Sequence, residues 1–263
     1  MGNGWTTVTN FRELGGLTTE FGRRVRAGVL YRSGALHKLS AAEQQRLLGL
    51  GVTRVLDLRS ADEAAQEPDL LPDGIAYARM GALQMLDDPS DDPIDLLDWD
   101  AFLVKALSGE AGLSKLESFQ HGVYPSMASR PDAFRALVQM LLDRPGAPVL
   151  FHCTAGKDRT GLAAAILERL LGVPYPTILA DYLESDRILA PLNRTTIELL
   201  RTKTSNERVI ALVQYMLGVT REQLELAFAQ LDVTFGGWDG FVRDGLGLTV
   251  DDVTALQNAL LTD

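Results

Sequence analysis

The sequence predicts an α/β fold, a central and mostly parallel sheet flanked by helices, on three observations. From Arg24 to Glu63 the chain alternates strand, helix, strand, helix, the order that builds a layered parallel sheet. The run Pro148 to Phe151, set off by Pro145 and Gly146, is short and wholly apolar, as a strand buried on both faces must be. A helix comes after that strand almost at once, because Gly161 to Leu171 repeats apolar residues at helical spacing before Gly172 and Pro174 stop it.

In chain order, Val8 to Leu17 carries NFRELGG, whose Gly15-Gly16 pair marks a turn. Arg24 to Tyr31 reads as a strand that ends at the turn Arg32-Ser33-Gly34. Ser40 and Glu43 form a capping box for a helix Ala41 to Leu50, and Gly51 stops it. Val52 to Leu58 is a second apolar strand, and Ser60 with Glu63 caps the next helix. Ile75 to Met80, after the Pro72-Asp73-Gly74 turn, is a further strand.

From Gln84 to Asp100 the composition turns acidic, with Asp87, Asp88, Asp91, Asp92, Asp95, Asp98 and Asp100 interrupted by Pro89 and Pro93. Such a run is usually a solvated loop; the sharper reading is a cover. Asp100 to Leu116 has helical spacing, and Gly122, Pro125 and Pro131 are expected to break the segment beyond it. Pro131 opens a helix Asp132 to Leu142. Past the central stretch, Pro176 starts a helix Thr177 to Leu189, and Asn206 to Leu217 pairs with Thr220 to Leu231 around Gly218. Trp238 to Arg243 and a helix nucleated at Thr249 complete a helical cover over residues 176–263. The chain reads as one domain, 1–263.

Composition narrows the function. A net charge of −10 and a pI near 4.8 argue against nucleic-acid binding and against attachment to anionic membranes, so an anionic ligand must be captured by a local field. No apolar run approaches the ~18 residues of a membrane span, and Met1 to Asn10 lacks the basic start and apolar core of a signal peptide. The cytoplasm is the default location, with export by a route lacking a cleavable signal left open. Met1, Gly2 and Thr6 satisfy an N-myristoylation pattern, for which a loose glycine-rich terminus is the plainer reading. Nothing in the sequence speaks to oligomeric state.

The chain has one cysteine, Cys153, in the turn between the central strand and its helix, and Arg159 lies six positions on. The first N–H groups of a helix lack intrahelical partners and carry partial positive charge. A loop Thr154, Ala155, Gly156, Lys157, Asp158, Arg159 can curl those groups around a tetrahedral anion, and the same field favours a thiolate at Cys153. Arg159 can fork two hydrogen bonds onto phosphate oxygens, Lys157 adds a cation, and Gly156 leaves room where backbone approaches ligand. His152, next to Cys153 but on the opposite face of the strand, is expected beneath the loop, hydrogen-bonded to backbone. His37 and His121 have no ligand-spaced partners, so no metal site and no cofactor are assigned.

HCTAGKDRTG, His152 to Gly161, resembles the His-Cys-x5-Arg-Thr signature of cysteine-dependent phosphatases. Its Gly-Lys-Asp-Arg core is similar to the atypical bacterial and fungal branch that includes the secreted mycobacterial and listerial tyrosine or lipid phosphatases. NFRELGG, YRSGAL (Tyr31 to Leu36), VLDLRS (Val55 to Ser60) and FVRDGLGLT (Phe241 to Thr249) resemble that branch as well.

The resemblance implies a phosphatase-like fold, a helical lid within residues 84–130, and a cysteinyl-phosphate mechanism acting on phosphotyrosine protein. Lys157 keeps a phosphoinositide or dual-specificity activity as the runner-up. A catalytically silent phosphate-binding module is the alternative from another class, disfavoured because a binder needs no thiol. Thr160 is the position whose hydroxyl, in related enzymes, bonds the sulfur; otherwise it would be a helix cap. The general acid stays open. No Trp-Pro-Asp tripeptide is present, leaving Asp158 inside the loop, Asp57 at a strand end or in an ion pair with Arg59 or Arg32, and Asp98 or Asp100 in the lid.

A lone cysteine has no resolving partner. Peroxide should therefore inactivate the protein with oxygen added at Cys153 and no internal disulfide, and intact-mass analysis checks this. A peroxide-treated chain with an unmodified thiol and lost activity would contradict it.

Overall fold

The computed structural model describes residues 4–83 and 110–263. Five strands form the main sheet: β1 Arg12–Glu13, β3 Leu30–Ser33, β4 Arg54–Asp57, β5 Ala76–Arg79 and β6 Val149–His152. Their order is β1-β3-β6-β4-β5; only β1 runs antiparallel to its neighbour. The strand that leads into Cys153 is therefore the central one.

Side chains along the central strands alternate between two cores. Val149 and Phe151 face one cluster and Leu150 the other, just as Leu56 and Val55 divide on β4 and Leu30 and Tyr31 on β3. All four residues of β6 are buried. At about 1.5–3 kcal/mol for each fully buried large apolar side chain, its three apolar residues contribute stabilisation comparable to the whole net stability of a typical domain. A one-residue register slip there would send each of the three into the opposite core.

Helices cover both faces: α1 Ala41–Gly49, α2 Ala61–Gln66, α3 Glu110–Ser129, α4 Asp132–Asp143, α5 Asp158–Leu170, α6 Tyr175–Lys203, α7 Glu207–Leu217, α8 Arg221–Phe235, the short α9 Trp238–Gly240 with a π-helical turn Phe241–Gly245, and α10 Val250–Leu260. The capping boxes at Ser40, Ser60 and Thr220 are all formed.

The structure departs from the expected elements in three places. The predicted strand Arg24 to Tyr31 is split: β2 Arg24–Val25 pairs with the chain's end, β7 Leu261–Thr262, and only Leu30–Ser33 joins the main sheet. Gly122 and Pro125 do not break the segment before Pro131, for α3 runs through both. Its Tyr124, Met127 and Ala128 are buried in the main core, and that packing outweighs one missing hydrogen bond. Likewise α6 continues past Leu189 and through Pro191 to Lys203, where Ile197 and Leu200 pack with α7 residues Val209 and Val213. The acidic run with Asp98 and Asp100, the first part of the candidate lid (84–109), and Met1 and Gly2 lie outside the described residues; Thr6 donates to the carboxylate of Glu43 in the first capping box.

One buried group is at odds with its surroundings. Glu168 on α5 is 1% exposed, and neither carboxylate oxygen has a hydrogen-bond partner among the described residues. Burial, reinforced by the nearby Asp181 charge, pushes its carboxyl well above the usual range, against the pull of Arg32 and Arg12. A folded-state acid raised in this way prefers its proton, so its contribution is complete below the unfolded value and is lost as pH rises toward the folded one. Glu168→Gln should remove that slope, worth up to about 1.4 kcal/mol per pH unit. Urea unfolding at pH 5 and pH 7 should show wild type losing more stability over that interval than the variant.

Candidate active site

The site is a loop turned inside out. Cys153 ends β6 and α5 begins at Asp158, and no backbone N–H from Thr154 to Arg159 donates to an acceptor among the described residues. Those groups line the inside of the turn as an anion cradle. The carbonyls point outward into protein, where each needs a donor. Thr154 O accepts from Ala35 N at 2.9 Å. Gly156 O accepts from Asn10 Nδ2 at 2.7 Å and from Arg32 Nη2 at 3.0 Å.

Gly156 has φ +68°, and a Cβ there would stand 2.3 Å from Ser33 O. The glycine is thus demanded by the end of β3, where the sequence had suggested approach to a ligand. Arg32 in turn pairs with Asp181 at 2.7 Å, and Arg12 ties Asp181, Ser185 and Asn10 together. Burial and the neighbouring Arg12 push the Arg32 guanidinium down to about 10, against the pull of Asp181.

Arg159 is held by a residue the sequence presented only as a helix cap. Glu63 Oε2 and Oε1 accept from Arg159 Nη1 at 2.5 Å and Nη2 at 2.8 Å, and Thr154 Oγ1 joins both groups. Burial raises the Glu63 carboxyl, but the Arg159 pair outweighs it and the net position is about 2. Arg159 is raised in spite of its burial, by its proximity to Cys153 and by its bonds to Glu63. Spacing could not have revealed this pair, since 96 residues separate the partners.

Lys157 and Asp158 are brought together. Lys157 Nζ lies 3.0 Å from Asp158 Oδ2, and it also donates to the carbonyls of Met216 and Gly218 at the end of α7. Its ammonium thus serves a helix C-terminus, a favourable place for a cation, while the sequence had given it to the phosphate. Asp158 Oδ1 accepts from Tyr124 Oη at 2.6 Å.

Asp57 is taken up elsewhere. Fully buried, it accepts from Arg59 N, Nε and Nη2 and from Tyr77 Oη. Burial raises its carboxyl, yet the Arg59 bonds hold it below the usual range. That is the ion-pair reading, with Arg59 as partner, and it leaves no oxygen for acid catalysis.

His152 is fully buried under the loop; Nδ1 lies 3.2 Å from Cys153 O and Nε2 lies 2.8 Å from Asp69 Oδ2, the latter a close contact without hydrogen-bond alignment. Asp57, Asp69 and His152 place ligand-type atoms within 4.8 Å of one another. The Arg59 guanidinium already bridges both aspartates and offsets one of their two negative charges. The Thr160 hydroxyl is buried and unbonded, to sulfur or to backbone, among the described residues. A groove of about 660 Å³ lined by Phe21, Arg169, Tyr175, Phe228 and Trp238 lies at the other end of α5, roughly 16 Å along the helix axis from Asp158.

A strand, an anion-cradling turn with a cysteine at one end and an arginine at the other, and a helix behind them define a cysteine-dependent hydrolase of phosphate esters. The chain belongs to the tyrosine phosphatase family, whose profile matches residues 4–262. It is 32% identical over 270 aligned residues to the triple specificity protein phosphatase PtpB of Mycobacterium tuberculosis, covering 96% of each chain. A protein of Cupriavidus necator named as a tyrosine-protein phosphatase is 33% identical over 245 residues, 93% of this chain and 84% of that one. Among solved structures, P. aeruginosa TpbA overlaps at a TM-score of 0.31 and 16% identity over 86% of this chain and 91% of that one, too loosely to bear on function. No helix among the described residues is long and apolar enough to cross a membrane.

If Glu63 orients the Arg159 fork, Glu63→Ala should lower kcat/KM by at least about tenfold, roughly 1.4 kcal/mol of transition-state stabilisation. The loss should be far smaller for Glu63→Gln, which keeps one acceptor oxygen. Steady-state kinetics on one aryl phosphate checks both.

Proposed function

We propose that residues 1–263 form one phosphatase domain that hydrolyses phosphotyrosine in proteins through a cysteinyl-phosphate. The observation that carries this reading is the shared loop: Cys153, the amide cradle, Arg159 and Asp158 all belong to seven consecutive residues. The Cys153 thiolate attacks phosphorus as the bond to the leaving oxygen breaks, and Asp158 passes its proton to that oxygen. Water then attacks phosphorus, Asp158 takes a proton from it, and the sulfur–phosphorus bond breaks to release inorganic phosphate. Arg159 and the amides of Thr154, Ala155, Gly156, Lys157 and Asp158 hold the remaining phosphate oxygens throughout. No cofactor enters the scheme. His152 supports the loop through the Cys153 carbonyl, Thr160 is assigned as a support of the nucleophile by the family resemblance, and Asp57 stabilises the scaffold through Arg59.

A second reading is specificity broader than phosphotyrosine, favoured by the name of the PtpB relative, triple specificity, over 96% of both chains, with phosphoinositides as the runner-up substrate. The position of Lys157 counts against it, because an ammonium bound to the carbonyls of Met216 and Gly218 is already satisfied away from the cradle. The candidate lid over 84–130 and a cytoplasmic location belong to this proposal too; the described half of that lid, α3, is docked against α8.

Cys153→Ser should abolish turnover of phosphotyrosine peptide while retaining vanadate binding, seen by calorimetry. Turnover by that variant above about one part in a thousand of wild type would overturn covalent catalysis. Parallel assays on phosphoserine peptide and phosphoinositide vesicles, with and without chelator, should show phosphotyrosine preferred and chelator without effect.

A further inference from the structure

We propose that Tyr124 is a positioning residue for Asp158 that dictates which carboxyl oxygen carries the catalytic proton. The inference rests on the reading of Asp158 as acid and base. Tyr124 comes from α3, 34 positions ahead of Asp158, and is 3% exposed; its hydroxyl donates to Oδ1 at 2.6 Å. Behind it stands Tyr182 of α6, 1% exposed, whose hydroxyl lies 2.5 Å from that of Tyr124. The two rings meet edge to face, with centroids 6.5 Å apart and planes at 79°, which fixes their rotation.

The chain of hydroxyls has one direction. A phenol has a single proton, and a carboxylate only accepts. Tyr124 therefore gives its proton to Asp158, and its oxygen is left to accept from Tyr182. Oδ1 is thereby engaged as an acceptor, and the proton that travels to the leaving group is carried on Oδ2. Lys157 does not make this choice, because Nζ reaches both oxygens, at 3.0 and 3.3 Å. During transfer the Oδ2–H bond breaks and the proton moves to the leaving oxygen, while the phenolic proton stays on Tyr124 throughout. A phenol serving only as core would need any acceptor at hand. This one crosses from the candidate lid region to the catalytic loop and finds the one carboxylate in it.

The test is kinetic and uses the full-length chain. Tyr124→Phe removes the hydroxyl and keeps the ring. On phosphotyrosine peptide, a poor leaving group, kcat/KM, which reports only the steps through departure of the leaving group, should fall about tenfold, a fraction of the 10²–10⁴ a general acid supplies. On p-nitrophenyl phosphate, an activated one, kcat/KM should hardly change. In an Asp158→Asn background the same substitution should cost nothing further. Equal losses on both substrates, no loss on phosphotyrosine, or a full additional loss in the Asp158→Asn background would overturn the proposal.

The parent reading fails separately: if Asp158→Asn alone loses rate equally on both substrates, Asp158 is not the acid, whatever Tyr124→Phe does. Should Tyr124→Phe not fold, as judged by its thermal midpoint and vanadate binding, Tyr182→Phe decides. A smaller loss confined to the poor leaving group supports the chain of hydroxyls, and equal losses or none refute it.

Discussion

The fold depends on keeping a loop turned inside out. An anion cradle needs its N–H groups on the inside, which forces the carbonyls of the same peptides into the protein, and a buried carbonyl without a donor costs about 1–3 kcal/mol. Asn10 and Arg32 supply donors to Gly156 O, and Ala35 N supplies Thr154 O. The segments around Asn10 and Tyr31 therefore accompany the signature because they close its outer side. Asn10 itself has φ +53°, in the left-handed region that asparagine tolerates better than most residues. The donors are then fixed by a further shell, Asp181 on α6 holding Arg32 and Arg12. A helix that shows no chemistry in its sequence is thus part of the machinery that shapes the cradle.

A protein with net charge −10 must bind an anion against its own field. The arrangement solves this locally, with orphan amides, a helix N-terminus and one guanidinium. Glu63 is the unexpected participant, since a carboxylate beside an anion site opposes binding. Its two oxygens accept from Arg159 and Thr154, so the guanidinium is held in one orientation with its charge partly balanced. Buried pairs are strong when both partners are satisfied and costly when one is removed. The same carboxylate also closes the α2 capping box, which ties the aim of Arg159 to the start of a helix.

Much of this was legible in the sequence where the signal was local. The central strand, the cysteine in its turn, the helix behind it and three capping boxes depend on contiguous residues, and each element formed within a few positions of its expected bounds. What escaped was non-local. Pro125 reads as a break because proline is unfavourable to a helix interior, the later helix is expected to end at Leu189, and nothing in sequence shows the packing of Tyr124, Met127 and Leu200 that carries α3 and α6 through Pro125 and Pro191. The β2–β7 pair joins residues more than two hundred positions apart. Lys157 is read by the plausible rule that a cation in an anion loop serves the anion, and the sequence does not show that the carbonyls of Met216 and Gly218 at the end of α7 accept from its ammonium.

The placement of Lys157 has a consequence for how the loop and the helical cover depend on each other. Lys157 and Asp158 are adjacent, and each is bound to a different part of the cover: Lys157 to the α7 terminus, Asp158 to Tyr124 on α3. Two neighbouring residues anchored in two directions leave the start of α5 little freedom, and they lie where the axis of the amide cradle is set. A phosphatase with its acid on a separate mobile loop can adjust the acid without disturbing the cradle. With Asp158 as the proposed acid, acid and cradle share one backbone, so any shift of α3 or of the α7–α8 turn acts on both together. The helical cover, which reads in sequence as chemically silent, is for that reason coupled to the geometry of the reaction.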